Sequence, residues 1–288
     1  MMKTAMKRNK CLIINADDFG YNEEQTKAIC EVYKAGLITS TSLMAVADSA
    51  SEAATLAVKE NITVGIHLTV NSDNAEHRWQ SVSGAKSLSD DKGLYKSQKD
   101  IALHARHRDI AAELEAQYAF AVENGCAVDH ADNHCATLYG INGRRFYRDA
   151  YAFCSRHNLP YRFPKTPYFL ERQLGRKLPR AVLAFQKHLV LLGEKQGVKM
   201  PDDVVSNPYS VEKIGNYESL RRYYLDAVEN CIDGVTEMFL HPAYPTESHD
   251  HEWQKRVWEF ELLKSGDLLE KAKEKGIQLV SWRIFESL

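Results

Sequence analysis

Four short runs in this chain end in side chains able to bind a metal or move a proton. Leu12 to Ala16 runs into Asp17 and Asp18, Val64 to Ile66 into His67, Val128 to Asn133 into His134, and Met238 to Leu240 into His241. A buried strand that finishes in an ionisable group is what a barrel enzyme carries at its mouth. Over residues 62–69, Thr63, Gly65, His67 and Thr69 alternate with Ile62, Val64, Ile66 and Leu68. With the apolar face turned to covering helices, His67 aims inward. His130, Asp132 and His134 stand at alternate positions of the next such run and share one face. Three ionisable groups there are costly unless a metal or hydrogen bonds satisfy them. The alternative is an exposed edge strand with solvated side chains.

Two imidazoles and a carboxylate leave a divalent ion open positions for water and substrate. Such an ion polarises a carbonyl and, in favourable zinc sites, lowers the pKa of water from about 15.7 to about 7. A second carboxylate can then serve as general base, and a histidine opposite it can protonate the leaving group. Asp17 and Asp18 are neighbours, so on a regular strand they point to opposite faces. Both reach one site only if the strand ends there, with Phe19-Gly20 as the turn. Paired aspartates also commonly cap helices, so the pair gains weight only from His67 and His134.

Elements must hold these residues together. The runs 11–16, 41–46, 62–69, 127–133, 160–164, 236–241 and 277–282 read as strands, and amphipathic stretches between them read as helices. That rhythm predicts an α/β fold, a closed or nearly closed (β/α) barrel with seven rather than eight strands. An open doubly wound sheet competes, but no G-x-G-x-x-G turn follows the first strand. Two segments break the rhythm: 71–108, polar and without a sustained period, and 165–216, which contains one amphipathic helix. Both follow a strand end, so both should overhang the face that bears the site. No shift in composition marks a linker, and residues 1–288 read as one domain with these two insertions.

Composition excludes several classes. The 37 basic and 39 acidic residues nearly cancel, which removes the electrostatic case for nucleic acid. No apolar run nears the roughly 20 residues of a membrane span, and the run 11–14 is too short for a signal core. The six cysteines, at 11, 30, 126, 135, 154 and 231, form no C-x-x-C pair. Buried reduced thiols and a cytoplasmic protein are expected.

The run L-I-I-N-A-D-D-F-G at 12–20, G-I-H-L at 65–68, H-A-D-N-H at 130–134, Y-R-F-P at 161–164 and H-P-A-Y at 241–244 resemble the YdjC-like carbohydrate deacetylases, which include the chitooligosaccharide deacetylase. The resemblance runs from about residue 10 to the last strand. It implies a barrel related to polysaccharide deacetylases with one divalent metal, Mg2+ or Zn2+ or another transition metal, on an Asp-His-His site. Carried over by motif, Asp18, His67 and His134 would be the ligands, Asp17 the general base and His241 the general acid. Arg162 would hold substrate or orient Asp17, or be only a structural ion pair. Asp132 would hydrogen-bond a ligand imidazole, with His130 in the same surroundings. Trp79 offers a flat surface for a sugar ring, and His249 and His251 are candidates for the rim.

One stretch departs from the family. Its histidine-rich D-S-H-H-H-V-H appears here as Asp132-Asn133-His134-Cys135-Ala136-Thr137-Leu138, so the ligand histidine stays and its later neighbours are lost. The implied activity is removal of an N-acetyl group from a small acetylated amino sugar or chitin-type oligosaccharide, with no nucleic-acid or membrane partner and a homodimer admitted. The alternatives are a barrel glycosidase working through paired carboxylates, or a non-catalytic sugar- or metal-binding relative. An amidohydrolase would carry H-x-H at the end of its first strand, where this chain has Ala16-Asp17-Asp18.

Overall fold

The computed structural model describes residues 9–73, 77–246 and 251–288. Strand β1 (Lys10–Phe19) is buried from Cys11 onward, as befits a near-continuous apolar run covered on both faces. The other strands are β2 (Ser40–Leu43), β3 (Val64–Leu68), β4 (Ser89–Asp90), β5 (Gly93–Leu94), β6 (Val128–Asn133), β7 (Asp203–Val205), β8 (Gly234–Leu240) and β9 (Gln278–Leu279). Seven strands make one sheet in the order β6-β3-β2-β1-β8-β7, with β9 beside the lower half of β1. Every pair in it is parallel. Helices such as Glu23–Lys34, Ala50–Lys59, His107–Glu123, Tyr217–Glu229 and Trp253–Ser265 alternate with the strands. The sheet curls into a half-barrel, the α/β architecture expected.

Alternation along β1 divides its side chains. Leu12, Ile14 and Ala16 join the large core beneath the helices. Cys11 and Ile13 pack with Val235, Trp282 and Phe285 in a smaller cluster that floors the curl. Each fully buried Leu or Ile contributes about 1.5–3 kcal/mol, enough for this strand to anchor the polar end it carries.

Between β6 and β7 the ladder thins, and residues 160–166 fill the gap. Ala131 N donates to Pro160 O and Arg162 N to Ala131 O on one side, while Tyr161 N donates to Lys199 O and Thr166 N to Asp202 O on the other. The strand expected at 160–164 is therefore reduced to a single bridge between Ala131 and Tyr161. Pro160 and Pro164 have no N–H to give a ladder. Two further expectations shift. The run 277–282 forms only the two-residue β9 before a 3₁₀ turn, Trp282–Glu286, brings Trp282 to the floor. Strand β7 lies inside 165–216; three residues are too few to show a period.

Segment 71–108 holds the antiparallel β4–β5 hairpin and helix Gln98–His104. Among the described residues no helix is long and apolar enough to cross a membrane. All six cysteines are unpaired.

Candidate metal centre and active site

The two aspartates reach one site by a different device from a strand end. β1 runs on to Phe19, but its register with β2 slips between Ala16 and Phe19, and Asp18 takes φ +67°. A left-handed residue reverses the alternation, so adjacent carboxylates face the same end. For a residue with a side chain this costs about 1–2 kcal/mol. Gly20, at φ +105°, makes the turn that follows, where a Cβ would lie 3.1 Å from Ala50 Cα.

Asp18, His67 and His134 then converge. Asp18 Oδ1 lies 3.2 Å from His67 Nε2 and 3.5 Å from His134 Nδ1, and the two nitrogens are 3.2 Å apart. Three donors about 2.0–2.1 Å from a common ion subtend a triangle of this size. All three residues are buried, and Asp18 Oδ1 has no hydrogen-bond donor among the described residues. The donor set and the orphaned oxygen fit a divalent metal. Burial would raise the Asp18 carboxyl, yet contacts from His134 and His67 and the charge of Arg256 hold it well below the usual range. Burial would likewise push the His67 imidazole down, but Asp132 outweighs it and carries it up to about 10. The pocket favours positive charge, and a divalent ion held there would supply it in place of those protons.

The surrounding side chains fix the ligands. His67 Nδ1 lies 2.8 Å from Asp132 Oδ1, which orients the ring so that Nε2 faces the triangle. His134 Nε2 is 3.3 Å from Asp73 Oδ1. Arg162, 3% exposed, is the hub beneath them. It donates to both oxygens of Asp17 at 2.6 and 2.7 Å and to Glu237 at 2.7 to 2.9 Å, and its Nη2 forms an ion pair with Asp132 Oδ2 at 2.8 Å. The Phe239 ring covers its guanidinium at 4.4 Å. Burial pushes the Glu237 carboxyl up to about 7 against the pull of Arg162, as three carboxylates around one guanidinium require. So enclosed, the Arg162 guanidinium faces these carboxylates rather than solvent.

His241 stands across the site, its Nε2 4.0 Å from Asp17 Oδ2 and its Nδ1 3.7 Å from Glu259 Oε2. Its side chain is 27% exposed, so it meets solvent where Asp18, His67 and His134 do not.

Two expected residues are elsewhere. His130 does face inward, but strand residues rise about 3.3 Å each, so a ladder of three cannot converge on one ion. His130 sits on the floor, stacked on Trp282 with ring centroids 4.5 Å apart, its Nδ1 2.7 Å from Asp129. Gly65 makes room for it, since a Cβ there would lie 2.2 Å from the His130 ring. Trp79 is no open platform for a sugar: it is 2% exposed. Its ring packs edge-on against His134 at 5.8 Å and Tyr21 at 5.4 Å. His251 is exposed, and His249 lies outside the described residues. Where the family's later histidines are replaced, Cys135 and Ala136 take left-handed φ values of +53° and +56°. The exposed Cys135 thiol is 3.9 Å from Asp73 Oδ2, and Leu138 is core.

Sequence reasoning missed Asp73, Glu237, Glu259, Gln25 and Arg256. Glu237 was within reach, because it shares the period-two face of His241 four residues on.

With this geometry in place, the relatives are informative. The chain is 28% identical over 281 residues to the carbohydrate deacetylase of Enterococcus faecalis, covering 95% of this chain and 97% of that one. It is 29% identical over 289 residues to the carbohydrate deacetylase of Thermoanaerobacter pseudethanolicus, covering 96% and 100%. To the chitooligosaccharide deacetylase of Proteus mirabilis it is 26% identical over 285 residues, covering 94% and 97%. Among solved structures, one named a cellobiose-phosphate cleavage protein, from Enterococcus faecalis, matches with TM-score 0.75 and 26% identity over 96% of this chain and 99% of that one. A lactam utilization protein from Thermus thermophilus matches in fold alone, with TM-score 0.50 and 15% identity over 94% and 99%. The sequence profile of the YdjC-like proteins spans residues 11–274, and the chain therefore belongs to that family.

Proposed function

We propose that the protein is a metal-dependent carbohydrate deacetylase that hydrolyses the N-acetyl group of a small acetylated amino sugar or chitin-type oligosaccharide, giving free amine and acetate. The observation that carries this reading is the buried Asp18–His67–His134 triangle with Asp17 and His241 facing each other beside it at 4.0 Å. Asp18 Oδ1, His67 Nε2 and His134 Nδ1 would hold one divalent ion, which polarises the amide carbonyl and acidifies water when bound. Two imidazoles and one carboxylate suit zinc, manganese, cobalt or nickel; magnesium, which prefers oxygen, is the poorer match.

Asp17, kept in one orientation by Arg162, takes the proton of the attacking water. An amine leaves a tetrahedral centre only when protonated, and His241 at the exposed side of the site supplies that proton. Its backbone N–H and ring both meet Glu259, which fixes which nitrogen faces the substrate. The names of the aligned relatives support a sugar amide as the substrate class. A glycosidase is disfavoured, because a carboxylate pair working on an acetal would leave the converging His67, His134 and His241 without a task. Five buried, unpaired cysteines and one exposed one suit a reducing, cytoplasmic setting.

The test is acetate release over a panel of acetylated mono- and oligosaccharides, before and after chelation. Release of a reducing sugar without acetate would overturn the proposal.

A further inference from the structure

Asp18 has two oxygens with different neighbours. Oδ1 faces the His67 and His134 imidazoles and has no hydrogen-bond donor among the described residues. Oδ2 accepts from Arg256 Nη1 at 2.9 Å, across 238 residues of sequence. The guanidinium is itself braced. The same Nη1 donates to Gln25 Oε1 at 2.8 Å, and the Tyr21 and Trp253 rings each lie 5.2 Å from its central carbon. Gln25, fully buried, also donates from Nε2 to Asp17 O at 3.1 Å, and Tyr21 N donates to Asp18 O at 2.9 Å. The left-handed Asp17–Asp18 link is thus held from helix Glu23–Lys34 and helix Trp253–Ser265 together.

A cation here is unexpected if the only task is to hold a divalent ion. A guanidinium touching a ligand carboxylate repels that ion, by enough even at water-like screening for about a 10-fold loss of affinity. A carboxylate free to turn about its last torsion, which is broad and two-fold, could offer both oxygens to the ion and bind it more tightly. It would then fill a position needed by water or by the amide carbonyl.

Resting on the metal-dependent reading above, we propose that Arg256 is a positioning residue that occupies Asp18 Oδ2, so that Asp18 gives the metal one oxygen and a coordination position stays open for the reaction. Affinity is given up to keep the site reactive.

The experiment uses Arg256→Met, which keeps the apolar stem between Tyr21 and Trp253, and Arg256→Lys, which keeps a cation on Oδ2. Arg256 lies at the rim with its side chain 20% exposed, so neither change opens the core. Metal affinity is measured by chelator competition, and coordination number by the visible absorption of the cobalt-loaded protein. Arg256→Met should bind the ion about 10-fold more tightly, show the weaker absorption of a higher coordination number, and lose at least about 10-fold in kcat. Arg256→Lys should restore wild-type affinity and spectrum in large part. Weaker binding in Arg256→Met, or an unchanged spectrum, overturns the proposal and leaves Arg256 a packing residue. If the wild type binds cobalt no better than His134→Ala, the metal-dependent reading fails and this proposal falls with it.

Discussion

Arg162 grips Asp17 through both oxygens, Nη1 to Oδ2 at 2.6 Å and Nη2 to Oδ1 at 2.7 Å, from 145 residues away. Asn15 Nδ2 adds a third bond to Oδ1 at 2.7 Å. The same guanidinium pairs with Asp132, which meets His67, so one buried cation braces both the proposed base and a proposed metal ligand, the kind of positioning that catalysis requires.

Removing that cation strands buried carboxylates. Arg162→Met should cost roughly 3–5 kcal/mol of stability, the usual loss when one partner of a buried pair is deleted. Arg162→Lys keeps the charge but not the two-toothed geometry. It should fold and retain metal while kcat drops at least about 10-fold. Thermal melts, elemental analysis and kinetics on the best substrate check this; unaltered kcat in Arg162→Lys would remove Arg162 from the orientation of Asp17.

Holding the metal and moving the proton should separate by residue. Asp18→Asn, His67→Ala and His134→Ala should each lower metal occupancy, because three ligands are the minimum for an open catalytic site. Asp17→Asn and His241→Asn should retain the ion and lose roughly 10²- to 10⁴-fold in kcat. His241→Asn should slow an amide more than an ester with a good leaving group, since only the amine needs a proton to depart. Full occupancy in His134→Ala would contradict the ligand assignment, and equal slowing of ester and amide would make His241 something other than the acid.

Period-two alternation was enough to turn His67 inward and to put Asp132 on one face with its neighbours, because it is local and a strand obeys it. Height along the barrel is not in that pattern, so His130 was expected among the groups around the ligands and lies instead on the floor against Trp282. The Asp17–Asp18 pair was legible as a site, but not the left-handed Asp18 that makes it one; no neighbouring residue announces a positive φ at an aspartate. Arg256 and Gln25 were invisible for a different reason. They reach the strand end from two helices, and Arg256 meets residues 238 and 231 positions away, distances over which a single sequence carries no pattern. Trp79 lies buried against His134 rather than open to solvent, since an aromatic in a polar loop can cover a neighbouring side chain as readily as bind a sugar.

That loop is tied down at one carboxylate. Glu113, buried on helix His107–Glu123, accepts from Ser81 Oγ at 2.5 Å, Val82 N at 3.0 Å, Ser83 N at 3.0 Å and Ser83 Oγ at 2.6 Å. Glu113→Ala removes the acceptor of all four bonds at once and should free the segment that lays Trp79 on His134. Amide hydrogen exchange over 78–85 should quicken about 10-fold or more, and KM should rise while metal content holds. Unchanged exchange there would show that the hairpin alone fixes the loop.

Glu259 should make the surroundings of His241 sensitive to pH. It is buried, accepts from Tyr224 Oη at 2.7 Å and from His241 N at 2.7 Å, and faces the His241 ring from β8 and Lys255 from its own helix. Burial raises its carboxyl, but the hydrogen bond from His241 and the charges of Lys255 and His241 win and bring it down to about 2 from 4.5. A carboxylate whose native pKa is depressed binds its proton more readily in the unfolded chain. Its contribution is therefore present in full above the unfolded value of about 4.5 and is lost as pH falls toward about 2. The size is on the order of 3 kcal/mol. Urea unfolding of the wild type should lose stability between pH 5 and pH 3 more steeply than Glu259→Gln, which has no proton to gain. In the same variant the His241 ring loses its anionic partner, so kcat should fall with the metal still bound. Identical pH slopes in the two proteins would place the acid sensitivity elsewhere, with Asp132 on Arg162 and His67 the next carboxylate to examine.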